Sequence, residues 1–472
     1  MRVAAPAGHR GTVRHPNHIP VARAPGFLNH SAVAWSGCIF FVVGAALARG
    51  DSWPQWRGPD GQGHAPDAHD LPVTWSETEN VAWKTPLPGR GWSSPVIEGD
   101  RIWLTTAVET PLSAADTERR LAGRKHANML ALSGPVVFRA LCVDRTTGRL
   151  LDDVELFRSE APAPIHALNS YASPSPVLDG GRLFCHFGAY GTACVDTATA
   201  RVLWTNRDHV VDHENGPGSS PVLWRDRLIL TLDGSDVQEV VALDAATGTS
   251  VWQTSRSGAL RANPDHKKAY GTPLIASPAG RDVVLSPAAD WLYGYDPATG
   301  KELWRLSYGT LGFSVVPRPV VAHGLAFMST SFNQPEVLAV RLGDGSAAPE
   351  IAWRVAKGAP SKPSLLVVGD GLLMVSDKGV ATCLDARTGA PRWTARLGGN
   401  VSSSPLLADG RVYVGNHDGR TFVLRPGAAF DLLATNELDG QIMATPAALG
   451  RALYVRTDTA LYRIEKPSMV SR

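Results

Sequence analysis

A segment of eleven residues that recurs along the chain constrains the fold more than any other feature of the sequence. In its clearest form, from Ala242 to Trp252, an apolar stretch ends at Asp244 and a Thr-Gly turn follows. The Asp carboxylate can accept hydrogen bonds from the N–H groups of its own turn. Gly248 can take the positive φ that reverses the chain. The pattern therefore predicts a β-hairpin whose returning strand carries a Trp that packs between sheets.

The turn recurs throughout the chain, together with a second marker. Copies lie at Asp144, Asp196, Asp296 and Asp385, and degenerate copies end at Arg341, Arg425 and Glu465. A proline that opens an apolar strand precedes the copies, at Pro95, Pro176, Pro221, Pro273, Pro319, Pro363, Pro405 and Pro446. Proline is tolerated on a sheet edge, such as the innermost strand beside a central channel. Eight markers of each kind, about 40–50 residues apart, predict an all-β, eight-bladed β-propeller with four-stranded antiparallel blades.

The ends of the repeat region predict how the ring closes. The last unit, Thr445 to Glu465, has three strands, and the segment around Trp83 reads as an orphan outer strand. Pairing the N-terminal strand with the C-terminal blade removes both free edges. The expected organisation is a leader over residues 1–48, an N-terminal arm over 49–80, the propeller over 81–467 and a tail over 468–472.

Two further segments fall outside the regular spacing. Blade 1 carries an insert at about 108–135, in which Ser113 followed by Asp116 predicts a helix start. We expect this insert to form a lid over the channel mouth, with a solvated surface excursion as the alternative. In the arm, Trp53, Trp56 and Trp75 are expected to hold the segment against the side or base of the ring.

Charge and the N-terminal segment bear on location and partners. The 472 residues carry a net charge of +2, but four arginines of the leader leave about −2 on the rest. No basic stripe is present, which argues against a nucleic-acid partner. A basic stretch and an apolar run over residues 38–48 predict a signal peptide and a periplasmic or secreted location. An uncleaved membrane anchor is the alternative, and we expect a monomer.

Four cysteines follow the leader, and none forms a CxxC pair, so neither a zinc site nor a haem site is predicted. Cys142, Cys194 and Cys383 each lie two residues before the turn Asp, where other copies carry Ala or Gly. This spacing predicts buried core thiols at a position that requires a small side chain. Cys185 and Cys194 flank one hairpin, and a disulfide between them is the alternative.

The repeat Ala-x-Asp-x-x-Thr-Gly-x-x-x-Trp resembles the tryptophan-docking motif of the pyrroloquinoline-quinone (PQQ) dependent alcohol dehydrogenases. It is similar as well to the repeat of the outer-membrane assembly propeller of the BamB type. The resemblance covers about residues 81–467, and the segment Trp53–Pro59 resembles the opening of a group of PQQ-like propeller proteins. These motifs belong to the scaffold, so the resemblance implies a fold rather than a function.

Loops that join an outer strand to the next inner strand surround the channel mouth on one face of a propeller, where a ligand would bind. Three consecutive loops of this kind are rich in polar residues. The candidate ligand-binding residues are Asn169, Tyr171, His213, Glu214, Asn215, Lys268 and Tyr270. This set of groups suits an anionic or polyhydroxylated ligand, and ordinary solvated loops are the alternative.

The absence of a recognisable catalytic set favours a binding or scaffolding module, with an envelope protein or a small polar ligand at the channel mouth. The alternative, implied by the resemblance, is a quinoprotein dehydrogenase of alcohols or sugars that holds PQQ and Ca²⁺. Glu214 and Asn215 would be a fragment of its calcium set, but the adjacent Cys-Cys pair of those enzymes is missing. A metal-dependent hydrolase using His166 and His213 is a third possibility without a supporting motif.

Overall fold

The strands follow the predicted repeat. The computed structural model describes residues 52–343 and 348–467, so the predicted leader and tail lie outside the described residues. In this part of the chain the strands form eight antiparallel four-stranded blades. The prediction of an eight-bladed propeller is confirmed.

Within blades 1 to 7 the chain runs from the innermost to the outermost strand. Blade 1 consists of Val96–Glu98, Arg101–Glu109, Val136–Asp144 and Leu150–Ser159. Blade 2 consists of Val177–Asp179, Arg182–His186, Thr192–Asp196 and Val202–Asn206. Blade 3 consists of Val222–Trp224, Arg227–Asp233, Gln238–Asp244 and Ser250–Ser255. Blade 4 consists of Leu274–Ala276, Val283–Ala288, Trp291–Tyr295 and Glu302–Ser307.

The remaining blades repeat the pattern. Blade 5 consists of Val320–Ala322, Leu325–Ser329, Val337–Arg341 and Glu350–Val355. Blade 6 consists of Leu366–Val368, Gly371–Val375, Val380–Asp385 and Pro391–Arg396. Blade 7 consists of Leu406–Ala408, Arg411–Gly415, Arg420–Leu424 and Leu432–Glu437. Blade 8 consists of Ala447–Leu449, Ala452–Arg456, Ala460–Ile464 and, outermost, Val81–Pro86.

A few short elements lie outside the blades. Two-residue strands pair Leu130–Ala131 with Ile165–His166 and Gly312–Phe313 with Phe332–Asn333. The helix of the insert is Ala114–Leu121, and 3-10 turns cover Ala127–Met129, Gly188–Tyr190, Pro264–His266 and Pro278–Gly280. No helix in the described ranges is long and apolar enough to cross a membrane.

The recurring Asp and Gly shape the turn between the third and fourth strands. Asp244 accepts hydrogen bonds from the N–H groups of Ala246 and Thr247 at 3.0 and 2.9 Å, and Gly248 has a φ of +75°. The Asp carboxylate replaces solvent for two turn N–H groups, and glycine supplies the left-handed conformation without steric cost. The mechanism predicted for this turn is confirmed.

The repeated Trp residues join neighbouring blades. Trp204, on the outer strand of blade 2, donates from Nε1 to the carbonyl of Ala245 in the turn of blade 3 at 3.2 Å. The same turn lays Gly248 flat against the Trp204 ring, where a Cβ would collide with the indole. Trp252, Trp353 and Trp393 donate in the same way to carbonyls of the next blade. Gly300 and Gly389 pack on the rings of Trp252 and Trp353 as Gly248 packs on Trp204, so these three junctions combine an indole hydrogen bond with a glycine contact.

The third strand must carry a small residue opposite the Trp. Cys194 lies across from Trp204, Cys383 from Trp393 and Ala242 from Trp252 in the strand register. All four described cysteines are free and buried, so the prediction of core thiols is confirmed and the alternative of a disulfide is wrong. Cys185 lies across from Ala193 rather than Cys194, and the two thiols belong to different cores between blades.

The contact between a Trp and the glycine turn of the next blade recurs where the ring closes. Val81–Pro86 pairs antiparallel with Ala460–Ile464 and becomes the fourth strand of blade 8. Trp83 then donates to the carbonyl of Arg145 in the turn of blade 1 at 3.1 Å, and Gly148 packs on its ring. The predicted closure by the N-terminal strand is confirmed.

A belt of hydroxyl groups lines the channel where each innermost strand begins. The N–H of Ser94 donates to Ser175 Oγ in the next blade at 2.8 Å, and Ser175 and Ser220 continue the series at 2.9 Å each. Comparable bonds link Arg318 through Ser364, Ser404 and Thr445. At seven of these eight positions the next residue is a proline. At the remaining one, Ser364, the proline (Pro363) comes directly before the belt residue instead of after it.

The N-terminal arm crosses the channel. Ser52–Trp53 pairs with the innermost strand of blade 1, and His64–Ala65 runs parallel to that of blade 7. Between them the carbonyl of Trp56 accepts from Arg318 of blade 5 at 3.1 Å. Trp53 and Trp56 thus lie in the channel rather than on the side or base, whereas Trp75 stacks on Tyr413 of blade 7.

Replacing the docked glycine tests the contact between blades. Gly248→Ala combines strain at positive φ with a collision against Trp204, whereas Gly410→Ala, at a φ of +68°, meets no atom within 4 Å. We expect the strained φ to lower the free energy of unfolding of both variants by about 1–2 kcal/mol. Overpacking should lower that of Gly248→Ala by a further ~1–3 kcal/mol. Chemical denaturation measures the free energy of unfolding of each variant. Equal losses in the two variants would show that the Trp contact does not hold the blades together.

Candidate functional site

A cavity of about 850 Å³ opens on the face that carries the loops between blades. Its floor is Trp56 of the arm together with hydroxyls of the channel belt, among them Ser94, Ser220 and Thr445. Trp56 Nε1 donates to Thr445 Oγ1 at 3.2 Å, which holds the indole across the channel. The cavity is therefore open to solvent above and bounded below by the chain's own N-terminal arm.

The structure brings together five of the seven predicted site residues. Asn169, Glu214, Asn215, Lys268 and Tyr270 line the cavity. Tyr171 is fully buried behind the wall and donates to the carbonyl of Ala163 at 2.8 Å. His213 is buried as well, beneath the loop that carries Glu214. His166 lines the cavity without His213, so the pair considered for a hydrolase does not converge there.

Several of these residues build the wall. Asn169 Nδ2 donates to the carbonyls of Asn215 and Pro217 at 2.8 and 3.1 Å, which joins two successive loops. Asn215 Nδ2 donates to the Tyr270 hydroxyl at 3.2 Å, and that hydroxyl donates to the carbonyl of His213 at 2.5 Å. The amides and the phenol are thus engaged in loop-to-loop hydrogen bonds, which position the charged groups beside them.

The charged groups form three pairs and leave one lysine without a carboxylate. Lys268 pairs with Glu214, Lys362 with Asp377 at 3.1 Å, and Lys125 with Asp265 at 3.4 Å. A fourth cavity lysine, Lys378, reaches only the amide oxygen of Asn400 at 3.5 Å among the described residues. The cavity therefore carries an excess of positive charge.

The positive field perturbs neighbouring groups. Burial and the nearby Lys362 ammonium both lower the pKa of His166 and of His417. Burial lowers the pKa of Lys268 to about 8, and the nearby Asp212 carboxylate opposes that shift. His166 lies in the loop between blades 1 and 2 and His417 in a turn of blade 7, so Lys362 is near imidazoles from two parts of the ring.

The rim of the cavity is apolar. Met129, Leu168 and Phe332 line the cavity and remain 46%, 48% and 59% exposed. Phe332 packs edge-on against Phe313, whose ring stacks on His266 at 4.5 Å between centroids. Large apolar side chains left exposed at one opening mark a surface for contact with another molecule.

The insert of blade 1 supplies one side of this rim. Ser113 caps the predicted helix by accepting from the Asp116 N–H at 3.0 Å. Further along, Leu130–Ala131 pairs with Ile165–His166, and Lys125 reaches across to Asp265. The insert thus forms part of the cavity wall, and its role as a lid stays a prediction.

No feature of the sequence indicated that Trp56, Phe332 and Lys378 belong to this site. Trp56 lies far outside the repeat, and only the path of the arm places it beneath the cavity. The Ser-Pro and Thr-Pro pairs that open six inner strands were a readable signal for the hydroxyl belt.

The donor groups do not fit the calcium and quinone site of the alternative function. Among residues 52–343 and 348–467, no group of three or more His, Cys, Asp or Glu side chains is placed to hold a metal ion. Glu214, the proposed fragment of a calcium set, is paired with Lys268. None of the four described cysteines lines the cavity.

Comparisons with known proteins agree with the repeat. The family model described as outer membrane protein assembly factor BamB matches residues 59–254, 208–352 and 347–429. A curated relative, the outer membrane protein assembly factor BamB of Legionella pneumophila (strain Paris), is 27% identical over 205 residues. That alignment covers 41% of this chain and only half of the length of the relative.

Solved structures show the same fold. BamB from Moraxella catarrhalis superposes with a TM-score of 0.50 at 15% identity, over 73% of this chain and 92% of that one. A europium-containing methanol dehydrogenase gives a TM-score of 0.58 at 12% identity, over 86% and 89% of the two chains. At such identities these similarities concern the propeller alone.

Two buried histidines near the cavity make the stability of this face depend on pH. Burial lowers the pKa of His213 from 6.5 to about 4 and that of His186 to about 3. Neither ring nitrogen of His213 has a hydrogen-bond partner among the described residues. The unfolded chain therefore binds protons at these imidazoles before the folded chain does.

We expect the free energy of unfolding to fall as the pH drops from about 6.5 towards 4. His213→Leu, which keeps an apolar side chain in the site, should reduce the slope of stability against pH by up to about one proton. Denaturant titrations at several pH values provide the measurement. An unchanged slope in the variant would mean that His213 does not stay neutral in the folded protein.

Proposed function

We propose that this chain, which belongs to the family of the outer membrane protein assembly factor BamB, is a binding module of the cell envelope. Its cavity holds a polar ligand or a segment of a partner protein. The assignment of the family rests on a model that spans most of the repeat region. The assignment of binding rests on the cavity itself.

One observation carries the proposal: the chain closes its own channel and leaves a blind cavity of about 850 Å³ on one face. A volume of this size is typical of ligand sites. Trp53 and the strand His64–Ala65 anchor the arm on the inner strands of blades 1 and 7, so the closure uses regular backbone pairing. A propeller that served only as a spacer would gain nothing from exposed apolar side chains at this opening.

Location and partner class follow from the sequence and the family. The predicted signal peptide implies export, and the printed name of the relative associates that protein with assembly in the outer membrane. We therefore expect a monomer in the periplasm or outside the cell, bound to an envelope protein or a small polar ligand. The described donor groups offer no support for the quinoprotein alternative.

Photo-crosslinking in the native host tests the proposal. A benzophenone amino acid placed at Phe332, which is 59% exposed at the cavity rim, should give a discrete adduct with an envelope protein or ligand. The same group at Val251, 42% exposed on the outer strand of blade 3, is the matched control and should give none. Adducts at Val251 and none at the rim would place the binding surface elsewhere and contradict the proposal.

A further inference from the structure

The chemistry of the cavity identifies the class of its occupant. Its four lysines outnumber its three carboxylates, which are those of Glu214, Asp265 and Asp377. The chain after the leader carries a net charge of about −2. Positive charge is thus concentrated at the cavity of a protein that is otherwise slightly acidic, and such a site attracts anionic groups from solution.

Lys362 and Lys378 of blade 6 can bind a ligand with little loss of free energy from the contacts that they already make. Lys362 and Lys378 flank Asp377, and the Lys362–Asp377 pair is partly exposed, at 35% and 22% of the two side chains. Exposed ion pairs contribute little to stability, because water screens the two charges. A carboxylate of a ligand can therefore take over Lys362 with little loss, and Lys378 has no carboxylate to give up among the described residues.

The apolar rim argues for an elongated occupant. Met129 and Leu168 lie on the side of the insert and the loop after blade 1, and Phe332 projects from the hairpin of blade 5. A small anion held by the lysines would leave these three side chains exposed. A chain with apolar side chains between its acidic ones would cover them, and exposed apolar groups with charged neighbours are typical of protein-binding surfaces.

We propose that the cavity binds an extended acidic segment of a partner polypeptide, whose carboxylates pair with Lys362 and Lys378 and whose apolar side chains cover the rim. This inference rests on the proposed function and adds the chemistry of the partner segment. Trp56, at the floor, limits how deeply that segment enters.

Fluorescence anisotropy with labelled synthetic peptides tests the inference on the full mature chain. The probe is a peptide of about ten residues in which Asp alternates with Leu or Phe. One control peptide replaces Asp with Asn, and a second replaces the apolar residues with Ser. We expect binding of the acidic apolar peptide, with affinity at least tenfold above both controls and decreasing as salt is added.

Variants of the lysines locate the binding. Lys362→Gln combined with Lys378→Gln should lower the affinity for the acidic peptide about tenfold, because two charge pairs are lost. Lys301→Gln, in an exposed turn of blade 4 outside the cavity lining, is the control and should change affinity less than twofold. Circular dichroism checks that the variants fold.

Other outcomes overturn the inference. Equal binding of the Asn peptide, or equal weakening by Lys301→Gln, would mean that carboxylates do not meet these lysines. Full competition by millimolar inorganic phosphate would mean that the site takes a small anion. A crosslinked partner at Phe332 without binding of acidic peptides would refute this inference and leave the proposed function standing.

Discussion

The contact between a Trp on one blade and a glycine turn on the next determines the architecture of this protein. Each described contact of this kind has two requirements: the turn must take a positive φ, and no Cβ may stand between the turn and the indole. Glycine satisfies both at Gly248, and the same pair of conditions holds where Trp83 meets Gly148. Since Trp83 belongs to the N-terminal strand, the contact that joins neighbours also closes the ring.

The segment that precedes Trp83, the N-terminal arm, closes the channel and thereby forms the floor of the cavity. The arm passes through the channel, pairs with two inner strands and leaves Trp56 under the loops of the opposite face. Two arginines buried beside it, Arg57 and Arg318, donate to carbonyls of the arm and of inner strands. Burial lowers the pKa of Arg57 to about 9 and that of Arg318 to about 10. Burying a charged group costs desolvation free energy, and the hydrogen bonds of these two guanidinium groups offset that free energy only in part.

The repeat made the fold predictable, because every element of it acts locally or between adjacent blades. The spacing of the repeat predicted the number of blades, the fourth strand of blade 8 and a small buried residue two positions before the turn Asp. The cavity was less predictable, because it depends on chain paths that no local pattern encodes. Asn169, Glu214, Asn215, Lys268 and Tyr270 line it as their loops suggested, yet Tyr171 and His213 turn into the core behind the wall. Trp56 and Phe332 enter the site through the arm and through a hairpin loop, and neither belongs to the repeat.

We propose that this protein binds its partner in the blind, positively charged cavity above Trp56. The most direct measurement is a structure of the protein in complex with the partner purified from its native host. We expect density for an extended polypeptide that passes Phe332 and ends above the Trp56 ring, with acidic side chains beside Lys362 and Lys378. A complex in which the partner lies on the outer strands and the cavity contains only solvent would contradict it.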